Sequence, residues 1–180
     1  MPVSTTARGS WMAPTNSIDS FWRYGNVGTI LAAATNNQAW GTNNLITYIP
    51  MQVTQRVVVV KMWYASGATA ATGNVQLGIY DQGGTQLIES ASVAKVGAAD
   101  EGVVDITDTT IGPGLYYAAL WASVSTDTFY ALTPAAPAVA TMGVRTETNA
   151  GGLPASATWA VPQTLAFVPV VGMLLEGTPA

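Results

Sequence analysis

The 180-residue chain has the length of a single domain and very little charge, with six basic and ten acidic residues and a net charge of −4. It contains neither Cys nor His, which excludes disulfides and Cys-ligated zinc and removes the commonest general base and metal ligand. Scattered basic residues and a negative net charge oppose nucleic-acid binding, and no apolar run approaches the roughly 20 residues of a membrane-spanning helix.

The N-terminal segment, residues 1–26, lacks periodicity but carries four large aromatic side chains: Trp11, Phe21, Trp22 and Tyr24. Aromatic side chains are costly in a free tail, so we expect an extended arm that buries them. The arm either folds back over its own domain or docks on a neighbouring subunit or another assembly partner. The remainder, residues 27–180, is predicted to be one domain, and the four aromatics are candidate assembly contacts.

The domain is predicted to consist of short strands. Apart from a central hairpin, they are expected over residues 27–34 (where a short helix is the alternative), 45–49, 57–65, 102–107, 115–123, 129–132, 139–146 and 165–175. Pro50 is expected to interrupt the second of these strands, and both faces of the strand at 57–65 are mainly apolar, which indicates cover on both sides. Pro169 and Gly172 favour an edge position or a bulge for the last strand.

The clearest local pattern is a β-hairpin over residues 73–91. In its first half Val75, Leu77 and Ile79 alternate with more polar or smaller residues. A turn follows at Asp81-Gln82-Gly83-Gly84, and a second extended run begins at Thr85. Eight to ten strands without a convincing long helix predict an all-β fold, with two antiparallel sheets packed as a β-sandwich.

The only concentration of charge comprises Asp100, Glu101, Asp105 and Asp108. Clustered carboxylates suit a hard cation such as calcium, but the alternating acidic positions, Gly and closing Glu of an EF-hand are missing. A solvated loop and strand edge is therefore the favoured interpretation, and no metal site is predicted.

No catalytic motif emerges from the residue pattern. Phosphate-binding glycine loops are absent, and no Ser has a His to activate it. A pair of Ser with Lys61 or Lys95 is conceivable, although no spacing supports it. Lys61 is better explained as a residue at the rim of a sheet or as one whose aliphatic stem lies along apolar surface while its amine reaches water. A pair of carboxylates from distant parts of the chain, of the kind that glycosidases use, is left as an alternative because it has no sequence motif. We predict a protein that is not an enzyme and binds no cofactor.

Aromatic residues raise a second possibility, because exposed rings stack on the apolar faces of sugars. Trp63, Tyr80, Tyr117 and Trp121 lie on predicted strands and are expected in the core. Trp40 lies in a polar loop predicted over residues 35–44, and Trp159 lies near another loop. These two are the candidate glycan contacts.

Three segments resemble a β-sandwich module of tailed-bacteriophage structural proteins, and the likeness extends over residues 44–175. They are Asn44-Leu45-Ile46-Thr47-Tyr48-Ile49-Pro50, Gly73-Asn74-Val75-Gln76-Leu77-Gly78-Ile79-Tyr80-Asp81, and Gly112-Pro113-Gly114-Leu115-Tyr116-Tyr117-Ala118-Ala119-Leu120. Leu153-Pro154 and Pro169-Val170-Val171-Gly172-Met173 resemble the closing part of the same module. These are strand and turn patterns, and they carry no catalytic residues.

The resemblance implies a jelly-roll-like sandwich that is often trimeric and lies on a phage head or tail fibre. Only some 40 residues precede the similar part, which favours a surface decoration protein or a short spike or fibre over a long fibre. A non-enzymatic virion protein is therefore expected, and a carbohydrate-binding receptor-recognition module of a tail fibre is the alternative. The scarcity of charge further favours a homo-oligomer. The resemblance implies that this oligomer is a trimer and that it contacts other virion proteins.

Overall fold

The structure is a computed structural model that describes residues 11–12, 36–69, 72–133, 136–159 and 165–176. Almost all of its regular structure is extended. The strands are β1 (Trp11–Met12), β2 (Asn36–Ala39), β3 (Leu45–Val53), β4 (Val57–Ala65), β5 (Asn74–Asp81), β6 (Gln86–Glu89), β7 (Val93–Ala94), β8 (Glu101–Ile111), β9 (Gly114–Ala122), β10 (Thr128–Leu132), β11 (Arg145–Thr148), β12 (Val168–Pro169) and β13 (Val171–Leu175), and the helix α1 (Ala136–Thr141) separates β10 from β11.

The strands form three antiparallel sheets. A four-stranded sheet has the order β1-β13-β4-β8, and a six-stranded sheet has the order β11-β3-β9-β5-β6 with β7 also paired to β5. A small sheet of β12, β10 and β2 accompanies them. Several pairs of successive strands, namely β3 and β4, β4 and β5, and β8 and β9, lie in different large sheets. This alternation, together with the strand orders β1-β13-β4-β8 and β3-β9-β5-β6, is the connectivity of a jelly roll. The predicted all-β, jelly-roll-like sandwich is confirmed.

The core lies between the two large sheets, where side chains of alternating sequence position meet. Ile49, Met51 and Val53 of β3 face Met62 and Tyr64 of β4 within one buried cluster. The period-two pattern of these strands places every second side chain on the same face, so the apolar residues converge without a helix between the sheets.

Strand β4 is covered on both sides only in its second half, since Val58, Val60 and Lys61 are partly exposed whereas the residues from Met62 onwards are buried. Met62 and Tyr64 are buried on the inner face, and Trp63 between them is also buried on the outer face. Tyr80, Tyr117 and Trp121 are buried as well, so the prediction that the four strand aromatics are packing residues is confirmed.

The predicted hairpin is confirmed in the antiparallel pair β5–β6. At its turn, the Asp81 carboxylate accepts a hydrogen bond of 2.8 Å from the Thr85 amide. Gly84 has a φ of +90°, a left-handed conformation that a residue with a side chain rarely adopts. The turn therefore depends on an Asp at its start and a Gly near its end.

Pro50 does not interrupt β3, contrary to the sequence-based expectation, because the strand runs through it to Val53. On one side β3 pairs with β9 along its whole length, whereas on the other side β11 reaches only as far as Tyr48. Pro50 therefore lies where β3 is an edge, and there a residue without an N–H group is tolerated.

Two other expectations are wrong. The helix α1 occupies the start of the strand predicted over residues 139–146, and β11 begins only at Arg145. The buried apolar residues of this segment are Val139 and Val144, and an odd spacing of five positions does not place both side chains on one face of a strand. The loop predicted over residues 35–44 contains β2, which pairs with β10.

The last predicted strand is divided into β12 and β13. Pro169 lies in β12, an edge strand of the small sheet, as expected. Gly172 lies in β13, which is between β1 and β4 and is not an edge strand, and the irregularity in the pairing of β13 with β4 falls between Leu174 and Leu175. The described strands exceed the expected eight to ten because β1, β7 and β12 are two-residue pairings. No helix in the described part of the chain is long and apolar enough to cross a membrane.

Candidate functional site

The outer face of the six-stranded sheet carries a second buried cluster. Its members on the strands are Ile46, Tyr48, Tyr80, Tyr117, Ala119 and Trp121. These side chains point away from the sandwich core, yet they are buried because residues 149–159, here called the strap, lie over them. Leu153 of the strap belongs to the same cluster, and Ala157 and Trp159 pack against it.

Hydrogen bonds from strand side chains fix the strap on the sheet. The Leu153 amide donates to the Gln76 side-chain oxygen at 2.8 Å. The Tyr80 hydroxyl donates to the Pro154 carbonyl at 2.6 Å. Because these partners lie on β5, an interior strand of the sheet, the strap is part of the packed structure of this face.

Trp159 and Arg145 form the exposed rim of this arrangement. The Trp159 ring lies 4.8 Å from the Tyr117 ring, centroid to centroid. The Arg145 guanidinium carbon lies 4.8 Å from the Trp159 centroid and 5.4 Å from the Tyr117 centroid. We call these three residues the Arg145 platform. Arg145 and Trp159 are both partly exposed, whereas Tyr117 is buried.

Glu147 lies two residues beyond Arg145, and both of its carboxylate oxygens accept hydrogen bonds. One carboxylate oxygen accepts a hydrogen bond from the Tyr48 hydroxyl. The other accepts bonds from the Thr158 amide at 2.7 Å and the Thr158 hydroxyl at 2.8 Å. Burial, together with the bond to Glu147, raises the pKa of Tyr48 far above its ordinary range. Glu147 therefore joins β3, β11 and the strap.

The two candidate glycan contacts have different environments. Trp159 is partly exposed on the Arg145 platform, and its position there is compatible with contact to a ligand. Trp40, in contrast, is fully buried, with its ring 4.7 Å from the Phe129 ring and its indole N–H bonded to the Leu45 carbonyl at 3.0 Å. The expectation that Trp40 is exposed is wrong, because its ring packs against the Phe129 and Phe167 rings in the apolar core.

The acidic residues at 100–108 are dispersed along β8 and the loop before it. Asp105 forms an exposed ion pair of 2.8 Å with Lys61. Lys61 is not at the rim of the sheet, because β4 pairs with β13 on one side and β8 on the other, and its side chain lies on the solvent-facing surface of the sheet. The Asp100 carboxylate accepts a bond from the Glu101 amide at 2.8 Å, and Asp108 is exposed. Among the described residues, no group of three or more acidic side chains is arranged to hold a metal ion.

A buried pair that the sequence suggested only weakly is formed by Ser66 and Lys95. The Lys95 Nζ lies 2.6 Å from the Ser66 Oγ, and that hydroxyl also lies 2.7 Å from the Gly97 carbonyl oxygen. Burial lowers the pKa of Lys95, although the charge of Asp127 acts in the opposite direction. Ser66 is 0% and Lys95 5% exposed, so neither side chain is presented to a substrate in this conformation.

The candidate assembly contacts fall mostly outside the described residues. Of the four, Trp11 lies in β1, where Trp11 pairs with Leu174 and Met12 pairs with Met173 of β13 in the same chain. Phe21, Trp22 and Tyr24 lie beyond the part of the chain that the structure describes.

Comparison with known proteins identifies no relative. No protein-family model, no curated protein and no solved structure matches the chain.

Proposed function

We propose that the protein is a non-enzymatic structural protein of a bacteriophage virion, either a surface decoration or a short spike or fibre subunit. The observation that carries the proposal is the jelly-roll topology, an architecture used by viral capsid and lectin domains. A fold hosts many functions, so the proposal also depends on the chemistry of the side chains.

The environment of the reactive side chains supports a structural role. Ser66 and Lys95, the one Ser–Lys pair within hydrogen-bond distance in the described residues, lie below the surface. A serine nucleophile needs an adjacent base and also room for a substrate carbonyl beside it, and burial denies the second condition. The buried pair instead joins two loops.

The composition supports assembly. The chain has only six basic and ten acidic residues, and low charge favours association over a solitary monomer. We therefore propose a homotrimer on the virion surface, in contact with other virion proteins through the N-terminal arm, without nucleic-acid binding or membrane insertion.

Immunogold labelling tests this proposal directly. Antibodies raised against the recombinant protein are applied to purified particles of the phage that encodes it, and a phage lacking the gene is the control. We expect gold on the surface of the head or tail of the intact particles only. Particles that lack the protein by both labelling and mass spectrometry would exclude a virion role.

A carbohydrate-binding module for host attachment is the second candidate, and the Arg145 platform favours it. Partly exposed Trp159 offers the kind of aromatic surface that stacks on a sugar ring. A glycan array with the purified protein tests this function. Specific binding that is lost on Trp159→Ala, and kept on substitution of buried Trp40 by Phe, would support it.

A further inference from the structure

We infer that Arg145 and Trp159 form a binding site for a sugar that carries a carboxylate, such as a uronic or sialic acid. This inference rests on the second candidate function and names its ligand class. Its basis is the state of Arg145, whose guanidinium is held in place by aromatic rings and keeps its hydrogen-bond donors available.

The guanidinium of Arg145 has no carboxylate partner among the described residues. The ion pair present there joins Lys61 to Asp105, and the contacts of Arg145 are those with the Tyr117 and Trp159 rings. A guanidinium has five N–H donors in a planar fork whose geometry matches a carboxylate. The contacts with the two rings hold the guanidinium in place without using its N–H donors in hydrogen bonds to described residues.

The nearest acidic side chain along the strand does not neutralise this group. Glu147 lies on the same face of β11, since side chains two residues apart share a face. Both of its carboxylate oxygens, however, are hydrogen-bonded, to Tyr48 and to Thr158. The Glu147 carboxylate is thereby held away from Arg145, which keeps its donors for another anion.

The position of Arg145 suits an approaching ligand. Strand β11 is the edge of the six-stranded sheet, so no further described strand pairs on its outer side. Partial burial strengthens a charge-assisted bond, and the fixed guanidinium loses little freedom when a carboxylate binds in bidentate fashion. The exposed part of the Trp159 ring then lies beside the anion, where it can contact the apolar face of the sugar.

The test is isothermal titration of the full-length protein with trigalacturonate and with 3′-sialyllactose, each compared with a neutral partner. The neutral partner of trigalacturonate is its methyl ester, and the neutral partner of 3′-sialyllactose is lactose. We expect one of the acids to bind at least tenfold more tightly than its neutral partner. Equal binding of acid and neutral sugar would overturn the inference.

Variants locate the site. Arg145→Gln should weaken binding of the acidic sugar by about tenfold or more, because the charge-assisted hydrogen bonds are lost. Arg145→Lys should keep only part of the wild-type affinity, because the lysine amine lacks the planar, bidentate geometry of the guanidinium. Arg56→Gln removes an exposed arginine between β3 and β4 and should leave binding unchanged. Circular dichroism confirms that each variant is folded, and unchanged binding by folded Arg145→Gln would refute the site.

The outcomes separate this inference from the functions on which it rests. Binding of neutral sugars that Trp159→Ala abolishes and Arg145→Gln leaves intact would support carbohydrate recognition and overturn the carboxylate specificity. Absence of any sugar binding would overturn both the site and the carbohydrate-binding function, while immunogold labelling tests the virion role independently.

Discussion

Lys95 donates a hydrogen bond of 2.6 Å to Ser66 across 29 positions of sequence, and both residues are buried. Ser66 directly follows β4, and Lys95 directly follows β7. Asp127, between β9 and β10, accepts bonds from the amides of Thr72 and Gly73 at 3.0 and 3.2 Å. The buried polar groups therefore join several loops.

The first prediction is a pH-dependent stability from Lys95. Burial holds its pKa below the ordinary 10.5, so at moderately alkaline pH the unfolded chain binds more protons than the folded one. The free energy of unfolding should rise as the pH increases through the folded pKa towards 10.5, and this rise should disappear in Lys95→Met. Urea unfolding at a series of pH values up to 10.5 measures it, and the difference between the wild-type protein and Lys95→Met removes the contribution of other titrating groups.

Lys61→Met is the matched control, because Lys61 is 43% exposed in its ion pair with Asp105. Removing a solvated pair changes stability little and should preserve the rise with pH. If Lys95→Met still shows the rise of unfolding free energy with pH, a group other than Lys95 causes it.

A second prediction concerns the packing of Tyr64 on Gly102, which pair across β4 and β8. A Cβ added at Gly102 would lie 2.1 Å from the Tyr64 ring, so the ring or the backbone would have to move. Gly102→Ala should lower the free energy of unfolding by about 1–3 kcal/mol, as overpacking does.

Gly97→Ala is the control for that substitution, since a Cβ there meets nothing within 4 Å. It should change the stability by less than about 0.5 kcal/mol, as surface substitutions usually do. Both values come from chemical denaturation, and equal effects of the two substitutions would contradict the packing argument.

How much the sequence could predict depends on the range of the interactions. The hairpin follows from a period of two and from local turn residues, and Val57–Ala65 follows from a run of β-branched and aromatic residues, so the positions of both could be predicted. The strap has no periodicity, and its place is set by Gln76 and Tyr80, more than 70 residues earlier in the chain. The burial of Trp40 could not be predicted from its polar neighbours, because it depends on the Phe129 and Phe167 rings, which are distant in sequence.

The third prediction tests the strap. Tyr80→Phe removes the donor to the Pro154 carbonyl and should cost about 1 kcal/mol, or more if that carbonyl stays buried without a partner. Hydrogen exchange of the Leu153 and Ala157 amides should become faster. Tyr116→Phe, which loses a bond of 3.0 Å to the Gly112 carbonyl, should leave these amides unaffected. Unchanged exchange in Tyr80→Phe would show that the strap is held without this bond.

The fourth prediction is the oligomeric state. Light scattering at micromolar concentration should give three times the chain mass of 18.6 kDa. The physical reason for self-association is that the chain carries little charge, whereas a larger net charge would keep small domains apart in solution. A monomer that persists at all concentrations tested would contradict the proposed trimer in solution.

The last prediction assigns assembly to the N-terminal arm, residues 1–26. Each buried aromatic side chain removes about 150–250 Å² from water, worth several kcal/mol at about 25 cal/mol per Å², so the four aromatics would suffice to anchor the arm. Deleting the arm should leave a folded β domain, seen by circular dichroism, that no longer joins phage particles.

A full-length variant with Trp11, Phe21, Trp22 and Tyr24 all changed to Ala controls for the loss of chain length and should show the same defect. The alternative is that the arm closes its own sandwich, and the pairing of Trp11–Met12 with β13 of the same chain is a contact of that kind. This pairing involves only two residues, so its loss should lower the melting temperature without unfolding the domain. Unfolding of both variants would assign the arm to its own domain, and normal incorporation of both would exclude it as the attachment element.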